Sequence, residues 1–573
     1  MKVTKFILQA LRAEGIDHIF MVPGGLIDPF YEELGRDSGI TPIVAAHEGG
    51  ACYMADGYAR ATEAFGVCLC IGGPGVTNVV TALSAAFTDN SAVLVLSGEV
   101  PTNWEGRGAF QDASPTGLND VEIVRPLTAY SIQIENPHLV EHHLRSALQH
   151  MVSTSRAPAH LSIPKDVQTS EIKQEYKPFI KSLLQPRVVD RVGVLGFCEV
   201  MSSPDPAEKI AILAGHGVKR SGASEALIAF AERYKIPVAT TLKAKGVLPE
   251  DHPLSVGIFG YAGTRHATEL LLGGECEILL VLGSGMDQRD TMYWNVRLHP
   301  KRAIVQVDIN SVALGRSYPV DLGVVSDCFE FIQALESADR EHAEMLANGT
   351  ETRVEWLKRL RECGPPLYDE ENTKSDAVPM HPARVIAEAR KAMPRDTVVL
   401  VDSGAHRAFA GQYWGSYAPG QYISATNIGP MGWAIPAAIG AKLARPELPT
   451  MVVTGDGCML MHGMEIQTAA RHQLPVIFLV INNSALGNVY LRARKTSAEG
   501  AELTKLPTHD WVMFAKSLGA DGMRVEQPQQ LSEAFAKALA SKTPFVVDAR
   551  CDREVGTPVT PWKQAAQQWV DEA

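Results

Sequence analysis

Two short motifs in the last third of the chain combine the residue types and spacing of a metal and phosphate site. Asp456 lies between Gly455 and Gly457 at the end of a predicted strand, and Asn482 and Asn483 end the next one. Ligands bind at the carboxyl ends of strands in open parallel sheets, so these groups are expected at one edge. Carboxylate and amide oxygens suit Mg²⁺, while glycines let a diphosphate approach the backbone and a helix N-terminus. The pattern predicts a cation and diphosphate site; two turns that merely end strands are the alternative interpretation.

A single acidic residue near the front of the chain is a second candidate for chemistry. Glu48 follows His47, where a predicted strand over residues 42–46 gives way to a predicted helix over residues 48–61. Its neighbours are apolar, and burial would raise the pKa of its carboxyl group, which could then hold or share a proton. A carboxylate that only stabilises the N-terminus of a helix is the other interpretation.

Short apolar runs that alternate with helical patterns must position these groups. Strands are predicted at residues 17–22, 42–46, 66–71 and 92–97, then at 209–213, 236–240, 277–282 and 302–307, and finally at 397–401, 449–453 and 476–481. Apolar runs without alternation suit strands covered on both faces, and strands that alternate with helices favour doubly wound parallel sheets. Polar stretches near residues 168–190 and 337–380 divide the chain. We therefore expect an α/β fold of three doubly wound parallel-sheet domains, over residues 1–170, 190–340 and 375–555.

The composition excludes several classes of protein. The chain has 573 residues, of which 46% are apolar and 21% charged, as is typical of globular proteins with several cores. A net charge of −12 argues against nucleic-acid and anionic-membrane binding, and no run of about 18 apolar residues could span a membrane. Nine scattered cysteines and the lack of a signal-peptide core predict mostly buried thiols in a reducing cytoplasm.

The polar end of the chain, with Trp562 and Trp569, is interpreted as a docking tail.

A longer series of motifs resembles one enzyme family. In chain order these are IFMVPGG, HEGGACYMADGYAR, GPGVTN, EVPTNWEGRGAFQDA, SIPKDVQ, LLVLGSGMDQRD, VQVDIN, NIGPMGWAIPAAIGAK, VTGDG and INNSALG. The series resembles thiamine-diphosphate-dependent enzymes of the acetolactate (acetohydroxyacid) synthase type, over about residues 3–550. The resemblance implies a pyrimidine-binding first domain, a Rossmann-like central domain and a diphosphate-binding third domain. It also implies thiamine diphosphate and Mg²⁺ as cofactors.

The same resemblance assigns roles to individual residues. Glu48 would bond the aminopyrimidine ring of the cofactor and control the proton of its thiazolium carbon, and Gly25 would donate to the reacting carbonyl. Phe110 and Gln111 would line the active site of a neighbouring subunit, which implies a homodimer or homotetramer with sites at the subunit interface. The residues expected around the metal are Asp456, Asn483 and Ala485, the last through its carbonyl. Those expected around the cofactor are Gly404, His406, Gly429, Met431, Gly455 and Gly457.

The implied reaction is a carboligation. A 2-oxo acid such as pyruvate would lose carbon dioxide, and the remaining fragment would be joined to a second carbonyl compound. A 2-oxo acid decarboxylase or a C–C lyase without ligation is the first alternative, and a protein that kept the fold but lost catalysis is the second. The retained Glu48, Asp456 and Asn483 argue against the second alternative.

Three positions that depart from the family's pattern concern the substrate. Leu26 replaces an alanine and is expected to narrow the pocket, while Asn488 and Arg492 replace a methionine and a tryptophan. An arginine binds a carboxylate, phosphate or sulfonate through two parallel hydrogen bonds. Arg492 therefore predicts an acceptor or donor with an additional anionic group; a solvated helix face is the alternative interpretation.

The FAD that this family carries is left open by the sequence. Asp287 and Arg289 match part of the family's flavin site. However, Gly285 stands where the family has an arginine, residues 261–262 replace a Met-His pair, and His216 interrupts a run of glycines. The pattern therefore predicts neither the presence nor the absence of FAD.

Overall fold

Three sheets, each of six parallel strands, form the framework of the protein. The computed structural model describes residues 1–35, 38–153, 155–183, 188–202, 205–337, 340–558 and 560–565. All strand pairs within the three sheets are parallel, and helices connect the strands. This arrangement confirms the predicted α/β fold of three doubly wound units.

The first sheet is built from the front of the chain. Its strands are β1 (His18–Met21), β2 (Thr41–Val44), β3 (Gly66–Ile71), β4 (Val93–Glu99), β5 (Tyr130–Gln133) and β6 (Ala159–Pro164). Its helices are α1 (Val3–Ala13), α2 (Asp28–Leu34), α3 (Glu48–Thr62), α4 (Pro74–Thr88), α5 (Asp120–Val124), α6 (Val140–Met151), α7 (Lys165–Thr169) and α8 (Ile180–Leu183). The strand order is β2-β1-β3-β4-β6-β5, so the order reverses between β1 and β3.

The central sheet has the strand order of dinucleotide-binding folds. Its strands are β7 (Ile210–Ala214), β8 (Val238–Thr240), β9 (Ser255–Ile258), β10 (Ile278–Leu282), β11 (Ala303–Asp308) and β12 (Leu322–Val325). The helices around it are α9 (Arg191–Ser202), α10 (His216–Arg220), α11 (Ser224–Tyr234), α12 (Arg265–Leu272), α13 (Cys328–Glu336), α14 (Arg340–Ala347) and α15 (Thr350–Glu362). The order β12-β11-β10-β7-β8-β9 reverses between β7 and β10, and such a reversal is where ligands bind in open sheets.

The third sheet repeats the order of the first. Its strands are β13 (Val398–Val401), β14 (Tyr422–Ile423), β15 (Thr450–Gly455), β16 (Val476–Asn482), β17 (Asp521–Val525) and β18 (Phe545–Arg550). Its helices are α16 (Pro382–Ala392), α17 (Ala405–Tyr413), α18 (Ala434–Ala444), α19 (Asp456–His462), α20 (Ile466–Arg471), α21 (Gly487–Thr496), α22 (Ala498–Glu502), α23 (Trp511–Ser517) and α24 (Leu531–Ala540). The order β14-β13-β15-β16-β18-β17 reverses between β13 and β15.

Apolar runs in the sequence predicted the central strands better than the edges. Five of the strands that were not predicted are edge strands, namely β5, β9, β12, β14 and β17. Edge strands are short and exposed on one side, so they lack a continuous apolar run; β17, for example, buries only its last residue. The interior strands β6 and β18 were also missed, because polar residues such as His160 and Asp548 interrupt their apolar pattern.

The first and third sheets share one hydrophobic core, in which α3 lies against α18. Both helices are buried along most of their length, as expected for helices enclosed between two sheets. Their backbones touch, since a Cβ on Gly57 would overlap the carbonyl of Ala437, and one on Gly440 would overlap that of Met54. Glycines at these two positions are therefore required for the close approach.

A buried carboxylate connects all three domains. Asp89, at the end of α4, pairs with Arg60 at 3.2 Å and with Lys243 of the central domain at 3.0 Å. It also accepts hydrogen bonds from the backbone amides of Thr426 and Asn427 in the third domain, at 3.0 and 3.3 Å. Although burial opposes ionisation, Lys243 and Arg60 hold the pKa of Asp89 well below its usual range.

Two expectations from composition can be compared with the structure. In the described part of the chain, no helix is long and apolar enough to cross a membrane. All nine cysteines are free thiols, and only Cys363 is exposed. The prediction of mostly buried thiols is confirmed.

The contact between α3 and α18 makes Gly57 intolerant of a side chain. We expect Gly57→Ala to lower the free energy of unfolding by about 1–3 kcal/mol, because the added methyl group must push two backbones apart. Calorimetric unfolding of the purified variant would measure the change. Gly196→Ala in α9 is the control, since its Cβ would meet only the flexible side chain of Leu322, at 3.3 Å. Equal stability of the two variants would contradict the proposed constraint.

Candidate active site

Asp456 lies at the point where the third sheet reverses its strand order. It follows β15 and begins α19, with its side chain buried. One carboxylate oxygen accepts from the amide of Gly457 at 3.0 Å, and the other from the amide of Ala485 at 3.2 Å. Burial raises the pKa of Asp456 to about 6, against the lowering effect of these hydrogen bonds. A cation at this carboxylate would offset the cost of burying its charge.

The two asparagines after β16 have different surroundings. Asn482 donates to Asp548 at 2.7 Å inside the sheet. Asn483 is half-buried at the sheet edge. Its side-chain amide nitrogen lies against Gly487, only 3.0 Å from the position that a Cβ on this glycine would occupy. The loop that contains Asn483 also reaches Asp456 through the Ala485 amide. The structure thus brings together Asp456, Asn483 and Ala485, the three residues expected around the metal.

A glycine-lined cradle with a buried histidine lies beside this carboxylate. The imidazole of His406 packs against Gly404 and Gly455, so that a Cβ on Gly404 would overlap the ring and one on Gly455 would lie 3.1 Å from Nδ1. Its Nε2 is buried without a hydrogen-bond partner among the described residues. Burial, helped by the charge of Arg407, lowers the pKa of His406 to about 3, so the ring is neutral near pH 7.

This cradle fits a diphosphate and a divalent cation. Glycine backbone without side chains and an unpaired buried imidazole nitrogen are complementary to phosphate oxygens. The carboxylate of Asp456 and the amide side chain of Asn483 are complementary to a hard cation. The site lies between β13 and β15, where ligands are expected in an open sheet.

The loop before α18 contributes the other two residues expected around the cofactor. Gly429 has a φ of +62°, a backbone conformation that favours glycine. Met431 is half-buried, and its methyl group would lie 3.0 Å from a Cβ on Gly457. Leu486, which the sequence did not indicate, would approach the same Cβ at 2.7 Å. Two flexible apolar side chains therefore border the turn that contains Asp456.

Glu48 lies at the first position of α3 and is less buried than expected. Its side chain is half-buried in the single chain, and its Oε2 accepts a hydrogen bond from the side-chain amide (Nδ2) of Asn78 at 2.9 Å. The predicted apolar burial is therefore wrong for one chain on its own. Local apolar neighbours do not determine burial here, because the helix begins at the edge of its domain.

A buried carboxylate of the third domain holds the backbone just before Glu48. Glu465 accepts from the amides of Ala46, at 3.1 and 3.2 Å, and of His47, at 3.2 Å. The rings of His47 and His462 are 6.1 Å apart, and His462 ends the helix that Asp456 begins. The front of the chain and the segment after Asp456 are thus adjacent in one molecule. Neither Glu465 nor Asn78 was identified from the sequence, since both act across long sequence distances.

The residues expected to contact the substrate from the first domain lie on its loops. Gly25 is exposed after β1, and its carbonyl accepts from Lys165 at 2.8 Å. Leu26 is half-buried next to it. Phe110 is 86% exposed on the loop after β4, and Gln111 has a φ of +60°. An aromatic side chain so exposed marks a surface suited to contact with another molecule.

Helix α21 follows the Asn483 loop and contains both substituted positions. Asn488 and Arg492 are one turn apart and so share a face of the helix. Arg492 is exposed, and none of the described residues pairs with it, whereas Arg494 forms an ion pair with Glu554. Arg492 therefore presents a cation, unpaired among the described residues, on the helix that follows the Asn483 loop.

A cavity of about 810 Å³ lies where the three domains meet. It opens at the reversal between β7 and β10, and its lining includes His216, Tyr261, Asp287 and Arg289. The guanidinium of Arg316 bonds the Gly285 carbonyl at 3.1 Å and Asp287 at 2.5 Å.

Trp562, in the last segment that the structure describes, lies beside this cavity. The ring of Trp562 lies 4.8 Å from that of Tyr261 and 5.4 Å from that of Tyr293. The other tryptophan of the predicted tail, Trp569, lies outside the described residues.

Comparison with known proteins identifies the family. Residues 1–118, 205–335 and 402–549 match the family models of the N-terminal thiamine pyrophosphate binding domain, the central domain and the C-terminal thiamine pyrophosphate binding domain of thiamine pyrophosphate enzymes. The chain therefore belongs to the family of thiamine pyrophosphate (thiamine diphosphate) enzymes, as the motifs predicted.

Relatives within this family are similar over nearly the whole chain. A probable acetolactate synthase large subunit of Methanocaldococcus jannaschii is 32% identical over 98% of this chain and 94% of its own. An acetolactate synthase large subunit of Corynebacterium glutamicum is 31% identical over 96% of this chain and 86% of its own. A putative thiamine pyrophosphate-containing protein of Bacillus subtilis is 30% identical over 96% and 92%. The predicted resemblance to the acetolactate synthase type is confirmed.

Proposed function

We propose that the protein is a thiamine-diphosphate- and Mg²⁺-dependent carboligase of the acetolactate synthase type. It decarboxylates a 2-oxo acid, such as pyruvate, and joins the remaining fragment to a second carbonyl compound. The observation that carries this proposal is the grouping of Asp456, Asn483 and the His406 cradle at the reversal of the third sheet. Near full-length similarity to acetolactate synthase large subunits favours ligation over simple decarboxylation or C–C cleavage.

The third domain supplies the groups that hold the cofactor. Asp456, Asn483 and the Ala485 carbonyl would bind the cation, and His406 and the cradle glycines Gly404, Gly455 and Gly457 would accept the diphosphate. Gly429 would leave room for the cofactor's ring system, and Met431 would support that system from below. The unpaired Nε2 of His406 supports this assignment, because a buried polar atom without a partner is costly unless a ligand satisfies it.

The first domain supplies proton control and contacts to the substrate. Thiamine diphosphate, when bound, would supply the carbon nucleophile and the electron sink that decarboxylation of a 2-oxo acid requires. The carboxyl group of Glu48 would hold or release the proton at the cofactor's ring nitrogen, and the side-chain amide of Asn78 fixes its orientation. The amide of Gly25 and the side chain of Gln111 contact the reacting carbonyl, and apolar side chains such as Phe110 exclude water.

Two chains would complete each site, in a homodimer or a homotetramer. Phe110 is 86% exposed and Glu48 is only half-buried in a single chain, although both are assigned to the site. Leu460, Met461 and Met464, which follow the Asp456 turn, are each at least half exposed. A second copy that covers these surfaces would bury both sets of side chains.

Free, buried thiols support a reducing, cytoplasmic location.

Arg492 indicates a substrate with an additional anionic group. Its guanidinium is unpaired among the described residues and lies on the helix that follows the Asn483 loop, one turn beyond Asn488. A planar guanidinium binds a carboxylate, phosphate or sulfonate through paired hydrogen bonds. Leu26 would limit the size of the fragment on the opposite side.

The same proposal includes FAD in the central cavity. A volume of about 810 Å³ at the reversal of a Rossmann-like sheet is within the range of cofactor pockets. Arg316 places a guanidinium next to Gly285, where the family has an arginine. Absorbance of the purified protein tests this part: a flavin spectrum supports it, and colourless protein that takes up no added FAD rejects it.

The reaction is tested by the products formed from pyruvate. The purified protein with thiamine diphosphate and Mg²⁺ should convert pyruvate, in the presence of carbonyl acceptors with and without anionic groups, to joined hydroxyketones. Aldehyde as the sole product, with every acceptor, would instead establish a decarboxylase. No binding of thiamine diphosphate in calorimetry would establish a protein without catalysis.

Substitutions at Glu48 and at Asp456 should impair different properties, the rate of the reaction and the affinity for the cofactor. Glu48→Gln should keep cofactor affinity but lower kcat by about 10²–10⁴-fold, because it removes proton control. Asp456→Asn should lower the affinity for thiamine diphosphate in the presence of Mg²⁺ by more than about 100-fold, because it removes a metal ligand. Calorimetry and steady-state rates separate the two effects. Identical losses in both variants would contradict the assigned roles.

Arg492 and Arg494 form a matched pair on one helix. Arg492→Ala should raise KM for one substrate by about 10- to 100-fold, since charge-assisted hydrogen bonds are worth about 1.5–3 kcal/mol. Arg494→Ala, whose partner is Glu554 on the protein surface, should leave KM unchanged. Wild-type KM values for all substrates in the Arg492 variant would remove the anionic-substrate hypothesis.

A further inference from the structure

A buried carboxylate of the third domain lies against the first turn of α3. Glu465 is 1% exposed and ends the short helical turn Gly463–Glu465, which follows α19. A Cβ on Gly50, the third residue of α3, would overlap Oε1 of this carboxylate. The glycine therefore leaves the space that the carboxylate of Glu465 occupies, and a side chain at position 50 would displace it.

Both oxygens of Glu465 accept hydrogen bonds at this place. The amide of Ala46 donates to the two oxygens at 3.1 and 3.2 Å, and the amide of His47 donates to Oε1 at 3.2 Å. The hydroxyl of Thr468, in the segment that follows Glu465, donates to Oε2 at 2.7 Å. Because hydrogen bonds to an ionised acceptor are stronger than those to a neutral one, they fix the backbone on the N-terminal side of Glu48.

Glu48 is the first helical residue after this anchored backbone. His47 is the N-cap of α3 and has an extended backbone, and its Nδ1 accepts from the amide of Gly49 at 3.0 Å. A negative charge beside the N-terminus of a helix also stabilises the first turn. The place where α3 begins, and with it the origin of the Glu48 side chain, is thus set by His47 from the first domain and Glu465 from the third.

A second buried carboxylate joins the same helix to the same domain and provides a comparison. Asp56 lies in α3, eight residues after Glu48, which is about 12 Å further along the helix axis. It accepts from the indole nitrogen of Trp433 at 2.8 Å and from Arg60 at 2.8 Å. Asp56 therefore strengthens the contact between the two domains at a distance from the start of the helix.

We propose that Glu465 is a positioning residue for Glu48: by holding the amides that precede α3, it fixes where the Glu48 carboxyl group meets the cofactor. Asn78 holds the carboxyl group itself, whereas Glu465 holds the backbone from which that group extends. Glu465 acts only through Glu48 and is not assigned to the reacting atoms. The link to catalysis rests on the proposed function, whereas the hold on the backbone does not.

Hydrogen exchange tests the hold on the backbone without relying on activity. In the full-length protein, with and without thiamine diphosphate, Glu465→Ala should accelerate exchange of the Ala46 and His47 amides by about tenfold or more, because their acceptor is lost. Glu465→Gln keeps one oxygen for both amides and should exchange within about threefold of the wild-type protein. Asp56→Ala, the control, should leave these two amides unchanged. Wild-type exchange of both amides in Glu465→Ala would refute the proposal.

Reaction rates separate a positioning role from a merely structural one. Glu465→Ala should lower kcat by about 10- to 100-fold, since misplacing a catalytic group by about 1 Å costs up to about 10²-fold. KM for pyruvate and the affinity for thiamine diphosphate should stay within about threefold, and Glu465→Gln should recover most of kcat. Asp56→Ala should lower the melting temperature but keep kcat within about threefold. Wild-type kcat in Glu465→Ala, or an equal loss of kcat in Asp56→Ala, would contradict the positioning role.

A double variant shows whether Glu465 acts through Glu48. When Glu48→Gln is already present, Glu465→Ala should lower kcat further by less than about threefold, because residues that act as a unit are not additive. Losses that multiply in the double variant would mean that Glu465 acts elsewhere, and the proposal would fall. If the wild-type protein forms no joined product, the proposed function fails, and the exchange measurement still decides whether Glu465 holds the start of α3.

Discussion

The close contact between α3 and α18 is the constraint on which the rest of the structure depends. Two helices from opposite ends of the chain touch backbone to backbone, at Gly57 and Gly440. Such a contact leaves no space for repacking, because a carbonyl group cannot move aside as a side chain can. It fixes the first sheet relative to the third. Glu48 begins one of these helices, so its position relative to the third domain of the same chain is determined by the fold.

The second organising feature is the repeated strand order of the outer sheets. Each reverses between its first and third strands, and each has glycine-rich turns at that point. The third sheet uses the reversal for a buried carboxylate, an amide and a neutral histidine, a combination suited to phosphate and a cation. The first sheet uses it for Gly25 and the turn at Gly73, next to Glu48 and its partner Asn78. One topology thus gives two glycine-lined sheet edges, and the proposed function assigns them to the two ends of one cofactor.

Sequence patterns predicted the elements of this arrangement better than their partners. The edge that unites Asp456 with the Asn483 loop follows from strands that end in polar turns, because parallel strands present their carboxyl ends together. By contrast, the roles of Glu465 and Asn78 depend on contacts between segments that are far apart in sequence. The burial of Glu48 was overestimated for the same reason, since apolar neighbours in the chain do not reveal where a helix begins relative to the domain surface.

Asp89 has a consequence for how the protein can be divided. Its charge is balanced by Arg60 from its own domain and Lys243 from the central one, and its remaining lone pairs are used by amides of the third. A recombinant fragment that stops at either linker would expose these groups with part of their partners missing. Although each sheet resembles an independent module, a chimaera that replaces one domain with that of a distant homologue would have to preserve the contacts of Asp89 with the other two domains.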